Sequence, residues 1–295
     1  MFQFPIEIFN YVEAAGGAED FTFTVDTTNA GTASDTILLP YSGGNTTYWG
    51  DGSDSTSNTH TYSTGGEYEI HIEGDIDGWQ FNNSGDRLKL LDIKSWDTLD
   101  ISLHSAFQGC ANMTISATNK PTVSSTNLLE CFAGCSSVTS IDWGGVDISK
   151  AEGMNAFCSQ CTLLETIVMP SNSSNVDTMF NMLRDCDAIV TLDLSPLDTS
   201  SVVNMATMLY SMGSLANVTW GTFDIGAVTG IANFLGQTTI NTTDYSTLLV
   251  NFDAQTVNSG LSFHGGGSKT NAAGTTARTS LETSDSWSIT DGGDE

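Results

Sequence analysis

The chain has 295 residues, and its 35 Asp and Glu side chains outnumber its 8 Lys and Arg, which gives a formal net charge of −27 at pH 7. A surface of one sign repels phosphate backbones and anionic lipid heads, so the composition argues against nucleic-acid and peripheral membrane binding. No apolar run approaches the roughly 18 residues of a membrane-spanning helix, so no membrane insertion is expected.

The first segment, residues 1–20, is apolar and then rich in Gly and Ala. Phe2, Phe4, Ile6 and Ile8 alternate with other residues before the joint at 14–18. Because no basic stretch precedes a long apolar core, no secretory signal is expected, and the chain would be assembled in the cytoplasm unless it has been truncated. We interpret residues 1–20 as an attachment segment for other virion or surface proteins. The alternative is an edge strand of the next domain.

Residues 21–80 have the pattern of a small β-sandwich, with short alternating segments separated by Gly, Asn, Asp and Ser. Three motifs stand out: Trp49-Gly-Asp-Gly-Ser53, His60-Thr-Tyr62 and Gly66-Glu-Tyr-Glu-Ile70. Together they resemble the polycystic-kidney-disease-type (PKD-like) immunoglobulin-like domain. The resemblance implies a spacer or adhesive module and supplies no catalytic residue.

Residues 81–240 contain a short pattern that returns six times at steps of 25 or 26 residues, which is typical of a solenoid. Its anchors are Phe107–Cys110, Phe132–Cys135, Cys158–Cys161, Leu183–Cys186, Leu209–Met212 and Leu235–Thr238. In each repeat, apolar residues at helical spacing precede an alternating strand pattern and a polar turn. The prediction is an α/β, leucine-rich-repeat-type solenoid of about six repeats, with helices on one side, strands on the other and curvature toward the strands.

The repeat units also resemble those of BspA-like leucine-rich-repeat surface proteins. The likeness rests on units such as Leu197–Met205 and Ala106–Cys110 and covers most of residues 81–295, while the third and sixth repeats depart from it. It implies a role in surface adhesion. After Thr238 the pattern stops, and residues 241–295 are expected to form a capping segment with helices near 245–252 and 275–283 and strands near 261–263 and 287–293.

The six cysteines could either pack in the hydrophobic core or form a metal site or disulfides. Cys131, Cys135, Cys158 and Cys161 could form a zinc site, and neighbouring thiols could form disulfides. The repeat alignment favours packing, because Cys131 and Cys158 occupy columns that are otherwise hydrophobic. The other four cysteines form a ladder with one thiol in each of the first four repeats. Helices 8–10 Å apart would also hold the thiols too far apart for a disulfide.

A binding surface is expected on the outward face of the repeat strands. Asp142, Asp193 and Thr219 point outward with Val168 between them, and Trp143 and Trp220 rim the face. Aromatic rings and carboxylates together suit sugars. The alternative is that both Trp side chains fill the core.

The sequence shows no catalytic constellation, so no enzymatic activity is expected. The four His residues are scattered, and Asp75 and Asp77 lie in a turn. No metal or cofactor is expected, although calcium at Asp51 and Asp54 remains a minor alternative.

Three functional hypotheses follow. The first is a non-enzymatic adhesion or recognition protein on a virion, such as a phage fibre or head-decoration component, that binds a host-surface glycan or protein. The second is a bacterial cell-surface adhesin of the same repeat family. The third is a glycan-active enzyme that uses paired Asp residues. A homo-oligomer is compatible with each.

Overall fold

A computed structural model describes residues 20–295. Residues 1–19, almost all of the predicted attachment segment, lie outside the described residues. The N-terminal part has strands β1 Phe21–Asp26, β2 Thr36–Leu38, β3 Thr47–Tyr48, β4 Asp54–Ser55, β5 Thr59–Thr61, β6 Glu67–Ile72 and β7 Leu90–Ser95, with a 3-10 helix at Arg87–Lys89 before β7.

The repeats contribute short strands, and the two α-helices of the described residues come after them. The repeat strands are β8 Asp100–Ile101, β9 Thr114–Ile115, β10 Thr122–Val123, β11 Ser140–Asp142, β12 Thr166–Val168, β13 Thr191–Asp193 and β14 Asn217–Thr219. The C-terminal segment has α1 Thr242–Asp253, β15 Ser262–His264, α2 Ala272–Ser284 and β16 Ser288–Thr290. The fold is therefore mostly β with few helices.

The N-terminal sheet has six strands in the order β4-β3-β6-β1-β7-β9, and β2 pairs with β5 in a separate antiparallel ladder. β1 buries alternate residues and pairs antiparallel with β6, with Phe21 opposite Ile72. β9 belongs to the first repeat, yet it pairs parallel with β7. The sheet thus continues past residue 80, where the sequence predicts a domain boundary, into the repeats.

The motif residues of the N-terminal part contact one another. Gly50 has φ +81°, and a Cβ there would lie 2.4 Å from the Glu69 carbonyl oxygen, so the turn requires glycine. The Trp49 ring stacks on His60 with centroids 4.9 Å apart, and the Tyr62 hydroxyl donates to the Trp49 carbonyl. The motifs therefore build one corner of the core.

The predicted repeat helices are wrong: in each repeat that stretch is a series of turns. Two residues per repeat, four positions apart, have φ between +50° and +78°. They are Ser105 and Gly109, Glu130 and Gly134, Ala156 and Gln160, Asn181 and Asp185, Thr207 and Ser211, and Asn233 and Gln237. An α-helix requires negative φ throughout, so these residues interrupt it.

Alternate N–H groups of each turn donate to the next repeat instead of to their own turn. In the second repeat the donors are Leu128, Glu130, Phe132 and Gly134, and the acceptors are the carbonyls of Gly153, Asn155, Phe157 and Ser159, at 2.8–2.9 Å. The intervening N–H groups close the turns, as when Cys131 donates to Leu128 at 3.2 Å. We call this set of inter-repeat bonds the turn ladder.

The turn ladder also changes the expected shape. Backbones joined by such bonds lie about 4.8 Å apart, as in a sheet, whereas packed helices lie about 8–10 Å apart. Both sides of a repeat therefore stack at a similar spacing, and the predicted cause of curvature is absent.

All six cysteine side chains are buried in the core, where the packing interpretation places them. The Sγ atoms of Cys135, Cys161 and Cys186 each donate to a carbonyl of the preceding repeat at 3.1 Å. In the sixth repeat the Thr238 hydroxyl donates in the same way to Leu209, at 2.7 Å. The helix-spacing argument against disulfides was wrong, because no helices separate these thiols.

One hydrophobic core runs from Phe21 to Trp287. Within it Phe107 stacks on Phe132, with centroids 5.5 Å apart, and Phe132 meets Phe157 edge-on at 5.6 Å. Burying a large aromatic side chain removes a substantial apolar area from water, so this column contributes to stability across repeat boundaries.

The C-terminal segment has the predicted helices and strands, but it also extends the stack. The Leu235 N–H donates to the His264 carbonyl at 2.9 Å, and the Phe263 ring lies 6.0 Å from Phe234. The hydrogen-bonded stack therefore continues for one turn past Thr238, where the sequence pattern stops.

Candidate functional site

The outward face of β11 to β14 has the side-chain order that the alternation predicts. In β11, β13 and β14 the central residue is buried and the two outer residues are exposed. Asp142 lies opposite Val168, and Asp193 lies opposite Thr219. These four exposed side chains, with the parallel row Ser140, Thr166, Thr191 and Asn217, are called here the sheet face.

The two Trp side chains are not part of the sheet face. Trp143 is 2% exposed and Trp220 is 3% exposed. The Trp143 ring lies 4.7 Å from the ring of Phe157, and the Trp220 indole N–H donates to the Asp244 carbonyl. Neither ring offers a face to a ligand, so sugar stacking at these positions is not available.

The carboxylates of the sheet face also organise the local backbone. Asp142 Oδ1 accepts from the Gly144 N–H and Asp193 Oδ1 from the Ser195 N–H, both at 2.9 Å. In the following turns, Asp147 and Asp198 accept bonds from the residues two positions later. Those bonds from Ser149 and Ser200 lower the pKa of both carboxyls, so they are charged at neutral pH.

A cleft of about 290 Å³ lies at the end of the sheet face nearest the N-terminal sheet. It lies between β9 and β11, which are not paired in the described residues. Lys120 Nζ lies 3.0 Å from Asp142 Oδ1 and also contacts the Gly144 carbonyl. Sequence reasoning did not predict Lys120 at this site. A signal was present, because Ile115 lies one residue earlier in its repeat than the equivalent residues of later repeats, and a one-residue shift disrupts strand pairing.

The residues considered for catalysis or metal binding hold structural positions. Asp77 accepts a hydrogen bond from Ser102, and Asp51 Oδ1 accepts from both the N–H and the hydroxyl of Ser53. Within residues 20–295, no group of three or more His, Cys, Asp or Glu side chains is placed to hold a metal ion. Over the same residues, neither α-helix has the length and apolar composition that crossing a bilayer requires.

The repeat region matches a known protein family. The family, described as Mycoplasma protein of unknown function, DUF285, matches residues 78–189 and 126–248, which together cover more than half of the chain. The chain belongs to the DUF285 family. No curated protein and no solved structure matches this DUF285 protein. The family match spans the turn ladder and the sheet face and leaves the N-terminal strands before residue 78 outside.

Proposed function

We propose that this DUF285 protein is a non-enzymatic recognition protein of a surface, carried on a virion as a fibre or head-decoration component. The observation that carries the proposal is the sheet face, on which the exposed side chains of β11 and β12, and those of β13 and β14, lie in register. The turn ladder joins these repeats to one another, so the exposed side chains keep their spacing. Pre-organised surfaces lose little entropy on binding.

The likeness to two kinds of surface module supports the proposal. The repeat units resemble BspA-like leucine-rich-repeat surface proteins, and the motifs around Trp49 and His60 resemble a PKD-like spacer. Residues 1–20 would supply attachment to other surface proteins, and the repeats would meet a host-surface glycan or protein. A homo-oligomer would multiply weak contacts.

A second candidate is a bacterial cell-surface adhesin. The description of the family names proteins of a bacterium, which favours a cellular carrier. Both candidates share the recognition surface and differ in where the protein resides.

Immunodetection in fractionated material distinguishes them. Detection in purified particles, together with their other structural proteins, supports the virion, and detection only in a cell-envelope fraction supports the adhesin. Detection only in the soluble cell fraction would contradict both.

A further inference from the structure

A groove of about 420 Å³ crosses the turn side of the first three repeats, away from the sheet face. Its floor is made of small residues: Gly109, Ala133, Gly134, Ala156 and Ser159. In the fourth and fifth repeats the position equivalent to Ala133 and Ser159 holds Arg184 and Tyr210. The Arg184 guanidinium carbon lies 5.3 Å from the centroid of the Tyr210 ring in a cation–π contact. The groove thus ends where large side chains begin, and its volume is in the range of small-ligand sites.

The walls of the groove present both donors and acceptors. At one end Arg87 packs over Gly109, where a Cβ would lie 2.8 Å from Arg87 Nε. Within the described residues, Arg87 Nε is buried without a hydrogen-bond partner and no carboxylate pairs with the guanidinium. An arginine without an acidic partner is notable in a chain of net charge −27.

The middle and the far end of the groove supply the acceptors and further donors. Gln108 Nε2 donates to Glu130 Oε2 at 2.7 Å, which orients the Gln108 carbonyl oxygen and leaves Glu130 Oε1 available. Asn181 Oδ1 accepts from the Thr207 hydroxyl, so its amide nitrogen still has donors to offer. One Arg and one Glu leave the groove close to neutral.

We propose that this groove binds a linear, neutral oligosaccharide. A hydroxyl group donates and accepts at once, which suits walls that alternate donors with acceptors. Successive repeats lie about 4.8 Å apart, which is close to the length of one pyranose unit in a chain, so each sugar unit meets one repeat. An extended peptide rises about 3.3 Å per residue, so its residues do not coincide with successive repeats. The proposal rests on the recognition function and assigns its ligand class and place.

Binding of the full-length protein to an array of neutral, amino and uronic oligosaccharides tests the proposal, with titration calorimetry on any hit. Ala133→Tyr fills the floor with a side chain that the equivalent position 210 already carries, and it should abolish binding. Gln108→Ala puts at 108 the residue that 133 already holds, and it should weaken binding about fivefold through the loss of about 1 kcal/mol. Ala273→Tyr makes the same change at an exposed position of α2, outside the groove and the sheet face, and as the matched control it should leave binding unchanged. Thr191→Tyr tests the sheet face as the rival place for the ligand.

Each outcome decides. Binding of neutral sugars that is lost in Ala133→Tyr and kept in both Ala273→Tyr and Thr191→Tyr supports the groove, provided that the thermal transition of the variants is unchanged. If Ala133→Tyr fails to fold, Gln108→Ala gives the answer. Loss only in Thr191→Tyr, or no neutral sugar bound by the unaltered protein, overturns the groove proposal and leaves the surface location to be decided by fractionation.

Discussion

Lys89 and Asp86 form a buried ion pair where the N-terminal sheet joins the repeats, and its removal gives a sharp prediction. Lys89 is 0% exposed and Asp86 is 1% exposed. Lys89 Nζ donates to the Thr32 carbonyl and hydroxyl, the Ala33 carbonyl and the Thr36 carbonyl at 2.7–3.2 Å. Asp86 accepts from the N–H groups of Thr32 and Leu38 at 2.6 and 2.7 Å. The pair therefore holds residues 32–36, the second half of the connection between β1 and β2.

Lys89→Met keeps an aliphatic chain of similar length and removes the charge. The carboxylate of Asp86 then loses its counter-charge, and breaking a buried ion pair in this way typically costs about 3–5 kcal/mol. We expect the amides of Thr32 and Leu38 to exchange with solvent about 10²- to 5 × 10³-fold faster, and the midpoint of urea unfolding, followed by Trp fluorescence, to fall.

The double variant Lys89→Met/Asp86→Asn tests the reasoning further, because it removes both charges and should be less destabilised than Lys89→Met alone. Lys150→Met, at an exposed position, is the control and should change stability by less than about 0.5 kcal/mol. A loss of less than about 1 kcal/mol for Lys89→Met, or a double variant that loses the sum of both single losses, would refute the account of the pair.

Three further predictions concern the repeats and the C-terminal segment. The thiols should react with a thiol reagent only after unfolding, and fast reaction of the native protein would contradict this. Burial raises the pKa of thiols such as Cys110 and Cys131 above the ordinary value of 9.0. The stability that these thiols contribute is therefore complete below pH 9 and falls above it. Phe132→Ala should lower the free energy of unfolding by about 3–5 kcal/mol in urea titrations, whereas a surface change such as Ser137→Ala should not. Asn241→Ala removes the side chain that accepts from the Asp244 N–H at the start of α1 and should cost about 1 kcal/mol, and an unchanged thermal transition would argue against the cap.

Much of the fold follows from periodicity in the sequence. The period of 25 or 26 residues locates the buried columns, because each repeat must bury its apolar face against its neighbours. The alternation that puts Asp142 outside also puts Trp143 inside, so the exposure of Asp142 and the burial of Trp143 have the same origin.

The turns of each repeat could not be predicted from apolar spacing. A series of turns and a helix both place residues three and four positions apart on the same side of the backbone. The signal lay in residues that tolerate positive φ: Gly109 and Gly134, then Asn181 and Asp185, recur at the interrupting positions. Ser105, Ala156 and Thr207 take the same conformation without such a signal, held by the turn ladder. The groove depends on which repeats have small residues there, and this becomes visible only once the turns are stacked.

The turn ladder joins the repeats that carry the sheet face, and NMR couplings across hydrogen bonds test it most directly. In a long-range HNCO experiment on the deuterated protein, the amide of Phe132 should correlate with the carbonyl of Phe157, 25 residues later, and Gly134 with Ser159. A correlation from Phe132 to the carbonyl of Leu128 instead, as an α-helix requires, would contradict the ladder and the surface proposed to depend on it.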